Sequence, residues 1–224
     1  MFLKIGHRGA RAYKPENTLA SFDYAIKSGC LNTVEFDVRR TKDGKFVIIH
    51  NAKVDKTTNG TGYVKDLTLK QIKALDADGE KIPTLQEVLD FLDKKVEKML
   101  VELKEVGYEE KVLKEIKKRK LEDRAIIVSF HEEALKKVRK LDPKIETGFI
   151  YVKYKNPIKT ALELKANYLI TLYHFVHTAN VEKAHANGLK MIVWTINTRE
   201  EALTYKKKGV DGIATDKPEV LKGL

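Results

Sequence analysis

Short apolar runs alternate with amphipathic helical segments along the whole 224-residue chain. This alternation is typical of repeated β-α units around a parallel sheet. It predicts eight main strands, at residues 2–5, 33–39, 98–103, 125–129, 146–151, 168–171, 191–195 and 212–215. Eight units in a chain of this size predict an α/β fold closed as a (β/α)8 TIM barrel, with any active site at the carboxyl ends of the strands. An open doubly wound sheet is the alternative, but no Gly-x-Gly-x-x-Gly follows the first strand.

Helices are predicted after the strands, at residues 18–28, 85–95, 109–120, 132–141, 158–164, 181–187, 199–207 and 218–222. Asn17 is expected to cap the first helix, and Gly29 to follow its end. Residues 51–83 interrupt the alternation of strands and helices. This stretch follows a short extra strand at 46–49 and is polar and turn-rich. Long connections at the catalytic face of a barrel are commonly lids or substrate loops. We therefore expect a single domain over residues 1–224, with a small insertion after the second strand, at 51–83, that serves as a lid.

The chain has 43 Lys and Arg against 32 Asp and Glu, a formal net charge of +11. This excess favours anionic partners such as nucleic acid, phosphorylated metabolites or a membrane surface. Its clusters at 117–120 and 206–208 fall in Glu-rich helical segments, which indicates a solvated outer face. No RNA-binding signature or interleaved basic and aromatic stripe is present, so a nucleic-acid partner is not expected. High Lys and Glu content with only two Gln hints at a thermophile.

The cellular compartment is inferred from cysteine content and apolar runs. The single cysteine, Cys30, rules out an internal disulfide and fits a reducing compartment. The first apolar run turns polar at Gly6, which is too early for a secretory signal. No later run is long enough to span a bilayer, so stable membrane insertion is not expected. These features predict a cytoplasmic protein.

Three acidic side chains occupy unusual positions within the predicted strands. Side chains alternate faces along a strand, so Glu35 and Asp37 share one face while their apolar neighbours share the other. Glu102 lies in the same way on the next main strand. Charges on the inner face of a core strand are costly unless they are paired or bound to a metal. The alternative to a metal site is a network of ion pairs with basic residues, namely Arg8, Arg39 and Lys104.

The chemistry of these side chains predicts which groups they would bind. Three carboxylates form an all-oxygen ligand set, which suits one divalent cation, Mg²⁺ or Ca²⁺ with Mn²⁺ as a third choice, whereas zinc more often recruits Cys or His. His7 and His50 flank the cluster, where two imidazoles could move protons on either side of a reacting phosphate. Of the other histidines, only His174 is expected to approach the pocket. Arg8 and Lys104 could bind phosphate oxygens, or could only balance the carboxylates.

Ten motifs run in order along essentially the whole chain. They are His-Arg-Gly at 7–9, Pro-Glu-Asn-Thr at 15–18, Glu-Phe-Asp-Val at 35–38, Thr-Lys-Asp-Gly at 41–44, His50, Thr-Thr-Asn-Gly-Thr-Gly at 57–62, Ile-Pro-Thr-Leu at 82–85, Glu-Leu-Lys at 102–104, Val-Trp-Thr-Ile-Asn at 193–197 and Thr-Asp-Lys-Pro at 215–218. With these motifs the sequence resembles the glycerophosphodiester phosphodiesterase family. So many ordered motifs make a chance match very rare.

The resemblance implies a β/α barrel, a divalent metal, and hydrolysis of small-molecule glycerophosphodiesters to sn-glycerol 3-phosphate and an alcohol. It also implies a role for each matching residue: metal ligands Glu35, Asp37 and Glu102, general acid and base His7 and His50, and phosphate contacts Arg8 and Lys104. One departure is Asn51, where the family usually has Asp after the second histidine. Asn keeps an acceptor oxygen but loses the charge, which puts in doubt any role of that carboxylate in orienting His50 or supporting the metal.

Two aromatic residues near strand ends are Phe130 and Trp194. They are expected either to line the substrate pocket against the glycerol carbons or to belong to the barrel core.

In the expected reaction, one histidine takes the proton of the glycerol 2-hydroxyl and the other protonates the departing alcohol, so that a cyclic phosphate forms and water then opens it. Direct attack by water is the alternative. The rival functions are a lysophospholipase D or phospholipase-like phosphodiesterase, and a non-catalytic binder of phosphate or nucleic acid.

Overall fold

The computed structural model describes residues 1–224 and contains nine β-strands and eight α-helices. The strands are β1 Leu3–Gly6, β2 Thr33–Arg40, β3 Phe46–Ile48, β4 Lys98–Leu103, β5 Ala125–Ser129, β6 Glu146–Tyr151, β7 Tyr168–Leu172, β8 Lys190–Trp194 and β9 Gly212–Thr215. The helices are α1 Leu19–Lys27, α2 Leu69–Ala74, α3 Leu85–Leu92, α4 Glu109–Lys118, α5 Glu132–Leu141, α6 Pro157–Glu163, α7 Thr178–Ala186 and α8 Arg199–Lys207. The helices are short, and none has the length and apolar character needed to cross a bilayer.

Eight of the strands close into a parallel barrel. Strand β1 pairs in parallel with both β2 and β9, and each remaining pair of neighbours around the ring is also parallel. Strand β3 lies outside the ring and pairs antiparallel with β2. Helices connect the parallel strands, as right-handed β-α-β crossovers require. The predicted TIM barrel is therefore confirmed.

The alternation of side chains along β2 separates two layers of packing. Val34, Phe36 and Val38 face outward and pack in a cluster with buried residues of α3 and α4. Burying such a side chain stabilises the fold by about 1.5 to 3 kcal/mol. Glu35 and Asp37 therefore point into the barrel, where the other strands present an apolar lining. The outward layer fixes the register that directs the two carboxylates inward.

The insertion at residues 51–83 is more ordered than its sequence indicates. It contains helix α2, which begins with a capping box between Thr68 and Gln71. Val54, Val64 and Ile72 pack there in a separate apolar cluster with residues that flank the insertion. No helix was predicted in this stretch, yet capping and a few spaced apolar residues suffice to form a short helix against a core. That the insertion acts as a lid stays a prediction.

Two further details differ from the sequence-based expectations. Pro218–Leu221 forms a 3-10 turn rather than the last predicted α-helix. The cap of α1 is Thr18, whose side chain accepts a hydrogen bond from the backbone N–H of Ser21. Asn17 instead adopts a left-handed backbone with φ of 60°, a conformation that Asn tolerates better than most residues. This conformation frees the Asn17 side chain for a contact inside the barrel.

Candidate active site

The three predicted carboxylates meet at the carboxyl end of the barrel. Asp37 on β2 lies directly opposite Glu102 on β4 in the parallel register, and Glu35 lies one side-chain step deeper on the same face. Ligand oxygens of the three side chains lie within 4.8 Å of one another, and all three residues are buried. Two adjacent strands thus concentrate three acidic groups in a volume that one cation could bridge.

The electrostatics of Glu35 distinguish this cluster from a balanced ion-pair network. One carboxylate oxygen of Glu35 accepts a hydrogen bond from the backbone N–H of Arg8 at 2.9 Å. The other, Oε1, is buried and has no hydrogen-bond partner. Burial, and then the charges of Asp37 and Glu102, raise the pKa of Glu35 well above its ordinary value. A buried carboxylate with a free oxygen is a group that lacks a positive partner.

Asp37 and Glu102 do have basic neighbours. Burial opposes ionisation of Asp37, but Lys104 and Arg8 outweigh it and lower its pKa to about 2. The Lys104 Nζ atom lies 3.3 Å from Asp37 and 2.5 Å from Glu102, and Arg8 Nε lies 3.4 Å from Asp37. Burial and the charge of Asp37 nevertheless raise the pKa of Glu102 to about 7. Two cations therefore do not neutralise three buried carboxylates, and the alternative of an ion-pair network accounts for only part of the cluster.

Asn17, which the sequence analysis assigned to a helix cap, supports Asp37 directly. Its side-chain amide donates to Asp37 Oδ2 at 2.8 Å, and its oxygen accepts from the backbone N–H of Asp37. The Pro-Glu-Asn-Thr motif was the only sequence signal for this role. The same motif places Glu16 against the guanidinium of Arg8, with 2.8 Å between Oε1 and Nη1.

His7 follows β1 and is oriented by a carboxylate on the neighbouring strand end. Its Nδ1 atom lies 2.8 Å from Asp216 Oδ1, and because a carboxylate can only accept, Nδ1 donates. Asp216 is held in turn by the Asn197 amide at 2.9 Å and by Arg11 Nε at 3.0 Å. Burial lowers the pKa of His7, although Asp216 opposes this shift. A neutral His7 thus keeps Nε2 as a free proton acceptor.

His50 lines the same pocket as His7 and immediately precedes the insertion. Its Nδ1 lies 3.2 Å from the side-chain oxygen of Asn51, so the amide supplies an uncharged acceptor. Burial lowers the pKa of His50 to about 4. The charge of Asp37 opposes this shift, and the charges of Lys104 and Arg8 add to it. The imidazole is therefore neutral at neutral pH, and its tautomer is set by a neutral neighbour.

A pocket beneath the rim brings these groups together. It encloses about 100 Å³ and is lined by fourteen residues, including both histidines, Arg8, Lys104, Phe130 and Trp194. Its floor is the apolar barrel interior, contributed by Leu100, Val128, Ile150, Ile170, Ile192 and Ala214. Phe130 and Trp194 meet edge to face, with 6.4 Å between ring centroids, and the Trp194 indole N–H has no partner. Both aromatic residues thus line the pocket.

All nine predicted site residues except Asp37 line this one pocket, and Asp37 lies directly behind it against Lys104. His174 does not line it: this residue is exposed in a 3-10 turn after β7, with its ring tilted against that of Tyr173, so the expectation that it approaches the pocket was wrong. Asn197 and Asp216 received no role from the sequence, and Asn17 was assigned only to a helix cap, although motifs contained all three.

Comparison with known proteins identifies the family. The model of the glycerophosphoryl diester phosphodiesterase family matches residues 7–220. A glycerophosphodiester phosphodiesterase of Caldanaerobacter subterraneus subsp. tengcongensis is 41% identical over 236 residues, which cover 99% of this chain and 97% of that protein. Glycerophosphodiester phosphodiesterase 1 of Homo sapiens is 30% identical over 258 residues, which cover 95% of this chain and 77% of that protein.

Solved structures give the same result. An Oleispira antarctica phosphodiesterase in complex with the product sn-glycerol-3-phosphate has a TM-score of 0.88 and 29% identity, covering 98% of this chain and 94% of that chain. A glycerophosphodiester phosphodiesterase from Thermotoga maritima has a TM-score of 0.82 and 29% identity, covering 98% of this chain and 96% of that chain. The chain belongs to the glycerophosphodiester phosphodiesterase family and is an enzyme that hydrolyses phosphoric diesters.

Proposed function

We propose that this enzyme uses a divalent cation and two histidines to hydrolyse glycerophosphodiesters to sn-glycerol 3-phosphate and an alcohol. The observation that carries the proposal is the convergence of three buried carboxylates beside one pocket that two neutral imidazoles also line. The product named for the Oleispira antarctica structure supports the same substrate class.

The carboxylate cluster fits a cation by its chemistry. The unpartnered Oε1 of Glu35 and the raised pKa values of Glu35 and Glu102 are the features expected of ligands that lack their positive charge. Glu35, Asp37 and Glu102 would hold the ion, and their all-oxygen set favours Mg²⁺, Ca²⁺ or Mn²⁺. When bound, such an ion supplies Lewis-acid polarisation of a phosphate oxygen.

Arg8 and Lys104 are placed to bind the phosphate of the substrate. Both line the pocket, and both lie within salt-bridge distance of Asp37. The Nε atom of Arg8 is buried without a hydrogen-bond partner, so it keeps an unused donor. Fixed positive groups at this position stabilise the charge that develops on the phosphate oxygens during displacement.

The two histidines would divide the proton transfers. His7, with Nδ1 directed to Asp216, is suited to take the proton from the attacking oxygen through Nε2. His50 would then give a proton to the oxygen of the departing alcohol. Because its Nδ1 faces the oxygen of Asn51, this step needs the doubly protonated imidazolium, a form that the negative phosphate of a bound substrate would favour. If the glycerol 2-hydroxyl attacks, a P–O bond to that oxygen forms as the bond to the alcohol breaks, and water later opens the cyclic phosphate with the two roles reversed. If water attacks, one such displacement completes the reaction.

The size and lining of the pocket suggest which part of the substrate it takes. An enclosed volume of about 100 Å³ suits a group of about the size of glycerol, and its apolar floor would contact carbon atoms. Trp194 offers an unpartnered indole N–H that a glycerol oxygen could accept. The alcohol would then extend outward, away from the barrel.

A coupled assay for glycerol 3-phosphate tests the proposal with glycerophosphocholine and related diesters. We expect product release with Mg²⁺, Ca²⁺ or Mn²⁺, loss of release on chelation, and recovery when the cation is restored. Equal rates with and without chelator would refute the metal requirement. Cleavage restricted to diesters without glycerol would refute the substrate class.

A further inference from the structure

Apolar side chains stand exposed beside the mouth of the catalytic pocket. The loops after β4, β5, β6 and β7 contribute Val106, Phe130, Tyr154 and Phe175, each between 41% and 44% exposed. All four follow the carboxyl ends of strands, so they share the face on which the catalytic groups lie. Single exposed apolar residues are ordinary on protein surfaces, whereas four on consecutive loops of one face form a pattern.

We call these four residues the rim arc. Val106 and Phe130 line one groove, and Phe130 also lines the catalytic pocket. Tyr154 and Phe175 line a second, wider groove. The two grooves meet where the Tyr154 hydroxyl donates to Glu132, at the start of α5. The arc thus follows the pocket mouth from β4 to β7.

The charge of the second groove is strongly positive. It is lined by four lysines, Lys153, Lys155, Lys159 and Lys183, and by one carboxylate, Glu163. Glu163 lies 3.8 Å from Lys159, whereas the other three lysines have no carboxylate within salt-bridge distance. Three lysines without a salt-bridge partner therefore line the same groove as the exposed rings of Tyr154 and Phe175.

We propose that the rim arc docks on an anionic phospholipid bilayer, with the pocket mouth facing the lipid headgroups. Aromatic rings favour the interface between headgroups and acyl chains, and lysine stems can lie along apolar surface while their ammonium groups reach anionic headgroups. Juxtaposed lysines gain affinity from the negative potential of such a membrane. Lysine is depleted at the centre of protein interfaces, so this mixture fits lipid better than a protein partner. The inference concerns surface binding and does not depend on the proposed reaction.

Sedimentation with lipid vesicles tests this docking. We expect the wild-type protein to sediment at about 0.1 M salt with vesicles of phosphatidylcholine and phosphatidylglycerol, and to stay in solution with phosphatidylcholine alone. The double variant Lys153→Glu/Lys155→Glu should lower the partition coefficient at least about tenfold. Phe175→Ser should also weaken binding, by removing an apolar ring without changing the charge.

The matched controls lie at the end of α5 and in the connection from α5 to β6, on the opposite face of the barrel. Lys140→Glu/Lys144→Glu makes the same change of charge, and Leu141→Ser removes an exposed apolar side chain there. We expect both controls to bind vesicles like the wild type. All variants should keep the circular dichroism spectrum and melting temperature of the wild type, which verifies that they fold.

Three results would overturn the proposal. The first is no sedimentation of the wild type with either kind of vesicle. The second is equal loss of binding in rim-arc and opposite-face variants, which would indicate a nonspecific effect of net charge. The third is that the wild type does not bind vesicles but forms a dimer or binds nucleic acid, and that Lys153→Glu/Lys155→Glu abolishes this association. That result would assign the surface to a second copy of the chain or to nucleic acid.

Discussion

The Nδ1 atom of His7 lies 2.8 Å from the Oδ1 atom of Asp216, and the barrel itself sets this distance. Gly6 and Thr215 face each other in the parallel register of β1 and β9, so the next residue on each strand end is brought to the same height. Asp216 fixes the hydrogen on Nδ1 and directs Nε2 away from itself. The closure of the sheet thus joins the first and last strands into one functional unit.

Substitution of Asp216 tests this unit. Asp216→Asn removes the charge and allows the wrong tautomer of His7, so we expect kcat to fall at least about tenfold while KM changes little. The pH dependence of kcat should shift as well, which a purely structural role would not cause. Asp211→Asn is the matched control, because Asp211 lies 2.8 Å from His185 on the opposite face. A similar loss of kcat in both variants would contradict the assigned role.

The two histidines can be tested individually. General acid or base catalysis contributes about 10²- to 10⁴-fold, so His7→Ala and His50→Ala should each lose at least about 10²-fold in kcat. Thermal unfolding and circular dichroism should show that both variants fold. His185→Ala, which removes an exposed histidine far from the pocket, should keep wild-type turnover. Near-normal activity of either pocket variant would refute its role.

Glu35→Gln should stabilise the metal-free protein while abolishing metal-dependent activity. Replacing a buried carboxylate that has one unpartnered oxygen with a neutral amide of the same shape should raise the free energy of unfolding by about 1 to 2 kcal/mol. For a chain of this size that is a rise of about 2 to 8 °C in melting temperature with chelator present. Exposed Glu133→Gln should change neither quantity. A lower melting temperature for Glu35→Gln would show that the carboxylate is already satisfied.

The stability of the metal-free protein should fall as pH rises from about 6.5 to 8. Burial raises the pKa of Glu102 to about 7 from an ordinary 4.5, so over this range the folded state holds a proton that the unfolded state has already lost. The lowered pKa values of His7 and His50 make the stability rise with pH, but only below the ordinary histidine pKa of 6.5, where the unfolded state binds protons that the folded state does not. Thermal melts in chelator measure this slope. Glu102→Gln and added cation should each flatten it, and a melting temperature that rises with pH would contradict the account.

Much of the fold was readable from the sequence because its signals are local. Strands such as Ala125–Ser129 and Glu146–Tyr151 were predicted with the bounds that the structure shows. The direction of Glu35 and Asp37 followed from simple alternation along β2. Helix α2 was missed because its six residues carry little periodic signal, and its stability comes from a capping box and from the cluster around Ile72.

The parts of the site that the sequence did not reveal depend on long-range contacts. His7 and Asp216 are separated by 209 positions, and only barrel closure brings them together. Asn17 was taken for a cap because its type and position fit one, and its left-handed backbone becomes visible only in three dimensions. The rim arc was missed for a similar reason: Val106, Phe130 and Tyr154 come from separate loops, so no amphipathic segment shows it in the sequence.

The central claim is that Glu35, Asp37 and Glu102 together bind one divalent cation between the two histidines. The most direct measurement is a crystal grown with Mn²⁺ and recorded with anomalous scattering. The account predicts one anomalous peak within bonding distance of oxygens from all three carboxylates, which disappears in Glu35→Gln crystals. Density that shows the three side chains bonded only to Lys104, Arg8 and Asn17, with no peak among them, would contradict it.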